Sequence, residues 1–155
     1  MTKTGVAIKT PMTARDDFDS ALQFALTQWQ LASKHTLGFW LRGYCMTFAT
    51  VITSFLGKSA SLSCVLASDG NAHHVIVLFQ QHVIDARGLS TPESLIANIN
   101  RSAVASGNML KANSIIPFTA EYAANFKVCP PSDARCLTRF INTVEMRRVR
   151  SNLFL

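Results

Sequence analysis

The stretch SLSCVLASDGNAHHVIVLFQQHVIDARG, residues 61–88, holds two apolar runs and a shorter third, separated by turn residues. Ser61 to Ala67 is short, apolar and compatible with a strand. Ser68-Asp69-Gly70-Asn71 is a strong turn signal. His74 to Phe79 and His82 to Asp85 then flank the polar pair Gln80-Gln81, so the stretch reads as a β-hairpin or meander. A two-residue turn at Gln80-Gln81 sets His74 opposite Arg87 and Asp85 opposite Ile76. His74 and Asp85 then lie diagonally within reach on one face.

Upstream, Phe18, Leu22, Ala25, Leu26 and Trp29 recur at helical spacing, which predicts a helix from about Ala14 to Ser33. Thr13 is its expected N-cap, and Asp16, Asp17 and Asp19 suit the positive end of the dipole. Gly38 breaks the pattern. A second helix is predicted from Cys45 to Leu56, with the stripe Cys45, Phe48, Ile52, Phe55 and Leu56, stopped by Gly57. Downstream, Thr91-Pro92-Glu93 announces a helix, with a Thr cap and Pro at the first helical position. It should run to Val104 or Ala105. A short apolar segment follows at Ser114 to Phe118, then one helix from about Ala134 to Arg150. The order helix, helix, three strands, helix, helix is α+β in a single domain spanning residues 1–155.

Composition narrows the function classes. The chain has 155 residues, 48% apolar and 15% charged, enough for a hydrophobic core and too apolar for disorder. Net charge is +6, and the segment 126–155 carries six basic residues (Lys127, Arg135, Arg139, Arg147, Arg148, Arg150) against Asp133 and Glu145. This basic segment is either the solvated face of a C-terminal helix or a surface for an acidic partner. Only Phe140 interleaves with its arginines, so a nucleic-acid stacking platform is not expected. Residues 1–12 read as an irregular arm, and the first 20 residues lack the apolar run of a secretory leader. The uncharged stretch from Gly43 to Gly57 is too short to span a bilayer. The expectation is a chain with no membrane span, cytoplasmic where it is made. Its cysteines (Cys45, Cys64, Cys129, Cys136) form no metal pattern or disulfide framework, although Cys129 and Cys136 are spaced to bridge across Pro130-Pro131. Reduced thiols are the default.

Three residues line up as chemistry. Cys45 stands at the start of an apolar helix, where unpaired N–H groups and the helix dipole stabilise a thiolate and an oxyanion. His74 opens a strand after a tight turn and is placed to take the thiol proton. Asp85 ends the next strand and is placed to fix the imidazole tautomer. His73 and His74 alternate across a strand, so only one can point at Cys45, and the apolar run after His74 favours that one. Trp40 and Tyr44 beside the nucleophile, and His73 and Arg87 beside its partners, are the substrate-binding candidates. The plainer alternatives are a buried core thiol at Cys45 and a turn residue at Asp85 paired with Arg87. A metal site from His73, His74, His82 and Asp85 lacks a ligand set at a recognised spacing, so no metal or other cofactor is expected.

The segments Gly43-Tyr44-Cys45-Met46-Thr47-Phe48-Ala49, His74-Val75-Ile76-Val77 and Val83-Ile84-Asp85-Ala86-Arg87-Gly88 resemble the Cys-His-Asp core of papain-like and transglutaminase-like proteins, over roughly residues 38–100. The resemblance implies a nucleophile at the N-terminus of a helix packed on a small antiparallel sheet. It implies a thiol hydrolase acting on a peptide or isopeptide bond of a protein or peptide substrate. Glutamine deamidation or transamidation, and a non-catalytic binding module on a decayed core, are the alternatives. Many such proteins are bacterial or phage effectors, which implies delivery to a target cell without a classical signal peptide. The sequence departs from the papain pattern where a glutamine often precedes the nucleophile. That neighbourhood reads Phe39-Trp40-Leu41-Arg42, and Gln30 falls within the first helix.

Overall fold

The computed structural model describes residues 13–108 and 110–155; the arm expected over residues 1–12 lies outside the described residues. Helix α1 spans Ala14–Ser33 and buries Phe18, Leu22, Ala25, Leu26 and Trp29, the stripe that helical spacing dictates. The Thr13 hydroxyl accepts a hydrogen bond from the Asp16 N–H at 3.1 Å, and the Asp16 carboxylate accepts one from the Thr13 N–H at 3.2 Å. This reciprocal cap satisfies two helix-end donors. Beyond Lys34 the chain makes a single π turn over Phe39–Gly43, closed by the Tyr44 N–H on the Phe39 carbonyl at 3.0 Å. Helix α2 (Cys45–Leu56) follows directly and buries Cys45, Phe48, Ala49, Ile52 and Leu56. Phe55, expected in that stripe, is half-buried under the Arg150 guanidinium, 4.5 Å from its ring centre.

Five strands form one antiparallel sheet in the order β4-β3-β2-β1-β5: β1 Ala60–Ala67, β2 Ala72–Phe79, β3 His82–Asp85, β4 Gly88–Ser90 and β5 Ala112–Pro117. The pairs Val77–Ile84, Leu78–Val83 and Phe79–His82 are those a Gln80-Gln81 turn requires. Both turn residues take positive φ, 48° and 65°, matching the twist of the strands they join. Strand β4 was not expected; it pairs with β3 across the two-residue turn Ala86-Arg87. Where Val65 faces His74 and Leu66 faces Ala72, His73 is left as the extra residue of a β-bulge.

The sheet has a core on each face. Val75, Val77, Phe79, Ile84 and Ala86 pack with α1, α2 and the two C-terminal helices, while Val65, Ile76, Val83 and Ala112 pack against α3 (Pro92–Ala105) in a smaller cluster. Asn100 ties α3 to β5 by bonding both the N–H and the carbonyl of Ala112, at 2.7 and 3.1 Å. A four-residue helix α4 (Ala120–Ala123) leads to the C-terminal segment. The single helix expected there is two, α5 (Pro131–Ile141) and α6 (Val144–Asn152). The break follows from Thr143, whose side chain caps the Met146 N–H at 3.2 Å and starts a new helix. Both helices are amphipathic and bury Leu137, Ile141, Met146 and Val149. Three of the basic residues are engaged within the fold: Arg147 on Asn142, Arg148 on Glu145 and Arg150 on the Phe55 carbonyl. Among the described residues no helix is long and apolar enough to cross a membrane.

Candidate active site

Strands β2 and β3 bring His74 and Asp85 together. Nε2 of His74 lies 2.9 Å from Oδ2 of Asp85, with both side chains buried. Because a carboxylate only accepts, Nε2 carries the proton, and Nδ1 is the nitrogen left for another partner. The Cys45 thiol adjoins the same ring. It comes from the first residue of α2, and its Sγ accepts the Val75 N–H at 3.4 Å, which joins the helix start to the strand that carries His74. Tyr44, at the N-cap, offers α2 no side-chain oxygen. Among the described residues no side chain caps the first N–H groups of α2.

Charge in this pocket is tightly balanced. Burial opposes the protonated ring, yet the hydrogen bonds and charges of Asp85 and Cys45 prevail and push His74 up to about 9. Burial likewise opposes the Asp85 carboxylate, and is outweighed by His74 and Arg87, which hold it at about 2. The two oxygens of Asp85 divide the work. Oδ1 accepts the Arg87 N–H at 2.8 Å and closes the β3–β4 turn, while Oδ2 takes His74 and, at 2.6 Å, Nη2 of Arg87. Asp85 thus combines the turn role and the orienting position that the sequence left as alternatives.

The turn bearing Arg87 is gripped from α1. Gln23 Nε2 donates to the Arg87 carbonyl at 2.6 Å, and Asp19 accepts the Leu89 N–H at 2.7 Å. Between them Gly88 has φ +118°, and a Cβ there would collide with the Gln23 and Asp19 side chains. In sequence Asp19 suits the helix dipole and Gln23 carries no signal, because nothing local marks a clamp on a turn so far along the chain.

The substrate-binding candidates separate. Trp40 is fully buried, 5.1 Å from the Trp29 ring and edge-on to Phe39, so it is core and not a substrate contact. Tyr44 is half-buried against Phe39. His73 is exposed and bonds Asp69 at 2.7 Å. The strict strand alternation expected of His73 and His74 fails at the bulge, because both line one cleft of about 570 Å³. Leu41, Arg42 and Arg87 complete that side of the cleft; its apolar lining includes Val65, Ala67 and Ala112 of the sheet and Ile99 of α3. Cys45 itself is 5% exposed and is not among the cleft-lining residues. His82 lies at the far hairpin end on the Gln80 carbonyl, away from His74. All four cysteines, Cys129 and Cys136 included, are free thiols.

The site thus belongs to an α+β chain whose five-stranded antiparallel sheet carries a buried His-Asp pair beside a helix-start cysteine. No protein-family model, curated protein or solved structure matches the chain.

Proposed function

We propose that the chain is a papain-like thiol hydrolase that cleaves a peptide or isopeptide bond through a thioester on Cys45. The observation that carries this reading is the buried His74–Asp85 hydrogen bond of 2.9 Å on a ring that also adjoins the Cys45 thiol. With Nε2 committed to Asp85, Nδ1 takes the thiol proton and the thiolate attacks the amide carbonyl. A C–S bond forms and the carbonyl oxygen gains the negative charge, for which the uncapped N–H groups of α2 are the available donors. Collapse breaks the C–N bond, and the imidazolium returns its proton to the leaving amine. Water activated by the same nitrogen releases the acid and regenerates the thiol. An amine in place of water gives transamidation, and a glutamine carboxamide as donor gives deamidation.

A second reading has its own support. Cys45 is 5% exposed, engaged by the Val75 N–H and set back from the cleft, as in a binding module on a decayed hydrolase core. Limiting iodoacetamide at about pH 6, followed by peptide mapping, separates the two. Exposure alone ranks half-buried Cys136 ahead of buried Cys45. Activation by the imidazole reverses that order. The hydrolase reading expects Cys45 to be labelled first and His74→Ala to remove the preference. Labelling that begins at Cys136 and ignores His74→Ala assigns the binding module.

A further inference from the structure

The cleft beside His74 has a one-sided charge. Arg42, Arg87, His73 and His74 line it, and among its described lining residues there is no Asp or Glu. The two carboxylates closest in the network are already committed, Asp85 to His74 and Arg87, and Asp69 to His73. Arg87 spends Nε and Nη2 on Asp85. Arg42 is exposed, sits in the π turn three residues before Cys45, and has no carboxylate partner among the described residues. The rest of the lining sets the apolar side chains of Val65, Ala67, Ile99 and Ala112 beside the polar Ser102, Ser106 and Asn108. Arg42, whose guanidinium folds back toward Gly38, is a cation without a carboxylate partner among the described residues, lining a cleft that also presents apolar side chains, a setting complementary to a ligand with one anionic end and one apolar flank.

We propose, on the thiol-hydrolase reading above, that the acyl donor bears a carboxylate held by Arg42 at the cleft, with an apolar side chain lying over Val65 and Ile99. Arg42 is then the specificity-determining residue, and Arg87 positions the His74–Asp85 pair.

The test uses two alkylators of nearly equal size, anionic iodoacetate and neutral iodoacetamide, on the full chain. Each forms a C–S bond at Cys45 and expels iodide, so the ratio of their rates reads the electrostatics of the approach. Relative to a neutral free thiol such as N-acetylcysteinamide, the iodoacetate/iodoacetamide ratio at Cys45 should be raised about threefold or more at low salt. Arg42→Gln should abolish that excess, Arg42→Lys should retain it, and Arg139→Gln, which removes an equal charge from the outer face of α5, should leave it in place. If Arg42→Gln does not fold, Arg42→Met decides in its place, and in the wild type the excess should disappear in about 1 M NaCl. A ratio equal to that of the free thiol, or one unmoved by Arg42→Gln, overturns the carboxylate site while leaving an activated Cys45 standing. Inertness of Cys45 toward both reagents instead removes the hydrolase reading, and this inference falls with it.

Discussion

Asp85→Asn is the most informative single substitution, because its effect on stability has a sign and a pH window fixed by the geometry. The carboxylate meets His74 Nε2, Arg87 Nη2 and the Arg87 N–H within 2.9 Å. An asparagine can keep its oxygen on the Arg87 N–H, but its amide nitrogen then faces His74. That nitrogen donates to Nε2, moves the ring proton to Nδ1, and leaves no acceptor for the Cys45 thiol. The rise of His74 from 6.5 to about 9 corresponds to about 3 kcal/mol favouring the charged ring in the folded state. Most of that hold is Asp85's, since its hydrogen bond outweighs that of Cys45. The fall of Asp85 from 3.8 to about 2 reports the same contacts and is not added to it. A raised His pKa gives stability that is complete below 6.5 and disappears as pH climbs through about 9. The depressed Asp85 adds the mirror limit, stability present above 3.8 and lost as pH falls through about 2. Urea unfolding should therefore place Asp85→Asn about 2–3 kcal/mol below wild type near pH 6. The gap should narrow near pH 10, where the ring is neutral and Asp85 keeps only the uncharged Nε2–H donor and the partly exposed Arg87 contacts. A gap that is the same at both pH values, or already under about 1 kcal/mol near pH 6, would refute an ionic His74–Asp85 pair.

Gly88→Ala should cost about 2–4 kcal/mol, because it combines a positive φ with the displacement of Gln23 and Asp19; thermal unfolding that matches wild type would show the α1 clamp to be slack. His74→Ala should reduce turnover of any identified substrate by several orders of magnitude, whereas His73→Ala, whose ring is held by Asp69, should change it by less than about tenfold. Equal losses would mean that the bulge lets His73 share the proton transfer.

Local rules made much of this molecule legible in its sequence. The α1 stripe, the α2 start at Cys45, the Thr91-Pro92 helix opening and the β2–β3 register all follow from spacing, caps and a two-residue turn. What escaped depends on neighbours far along the chain. The bulge at His73 arises in the pairing of β2 with β1, so period-two reasoning assigned His73 to the wrong face. Trp40, close to Cys45 in sequence, is drawn inward by Trp29 and Phe48, which lie on two different helices. The break between α5 and α6 did carry a signal. Thr143 precedes Val144-Glu145, the pattern of a cap with an acidic first turn, but the arginines on either side read as one continuous polar face.

The two walls of the cleft differ in how firmly they are built. The wall bearing His74 and Arg87 is backed by the large core and by the Gln23 and Asp19 anchors. The α3 wall rests on a small cluster in which Leu95 is the helix's one fully buried side chain, aided by half-buried Ile96 and Ile99 and by the Asn100 link to Ala112. Free energy of local opening follows buried apolar area, so α3 gives up less on leaving its neighbours than α1 or α2, which bury five side chains each. In this architecture the cleft has one lightly anchored wall, α3, and one firmly anchored wall, built from α1 through β4, that holds His74, Asp85 and Arg87 in register.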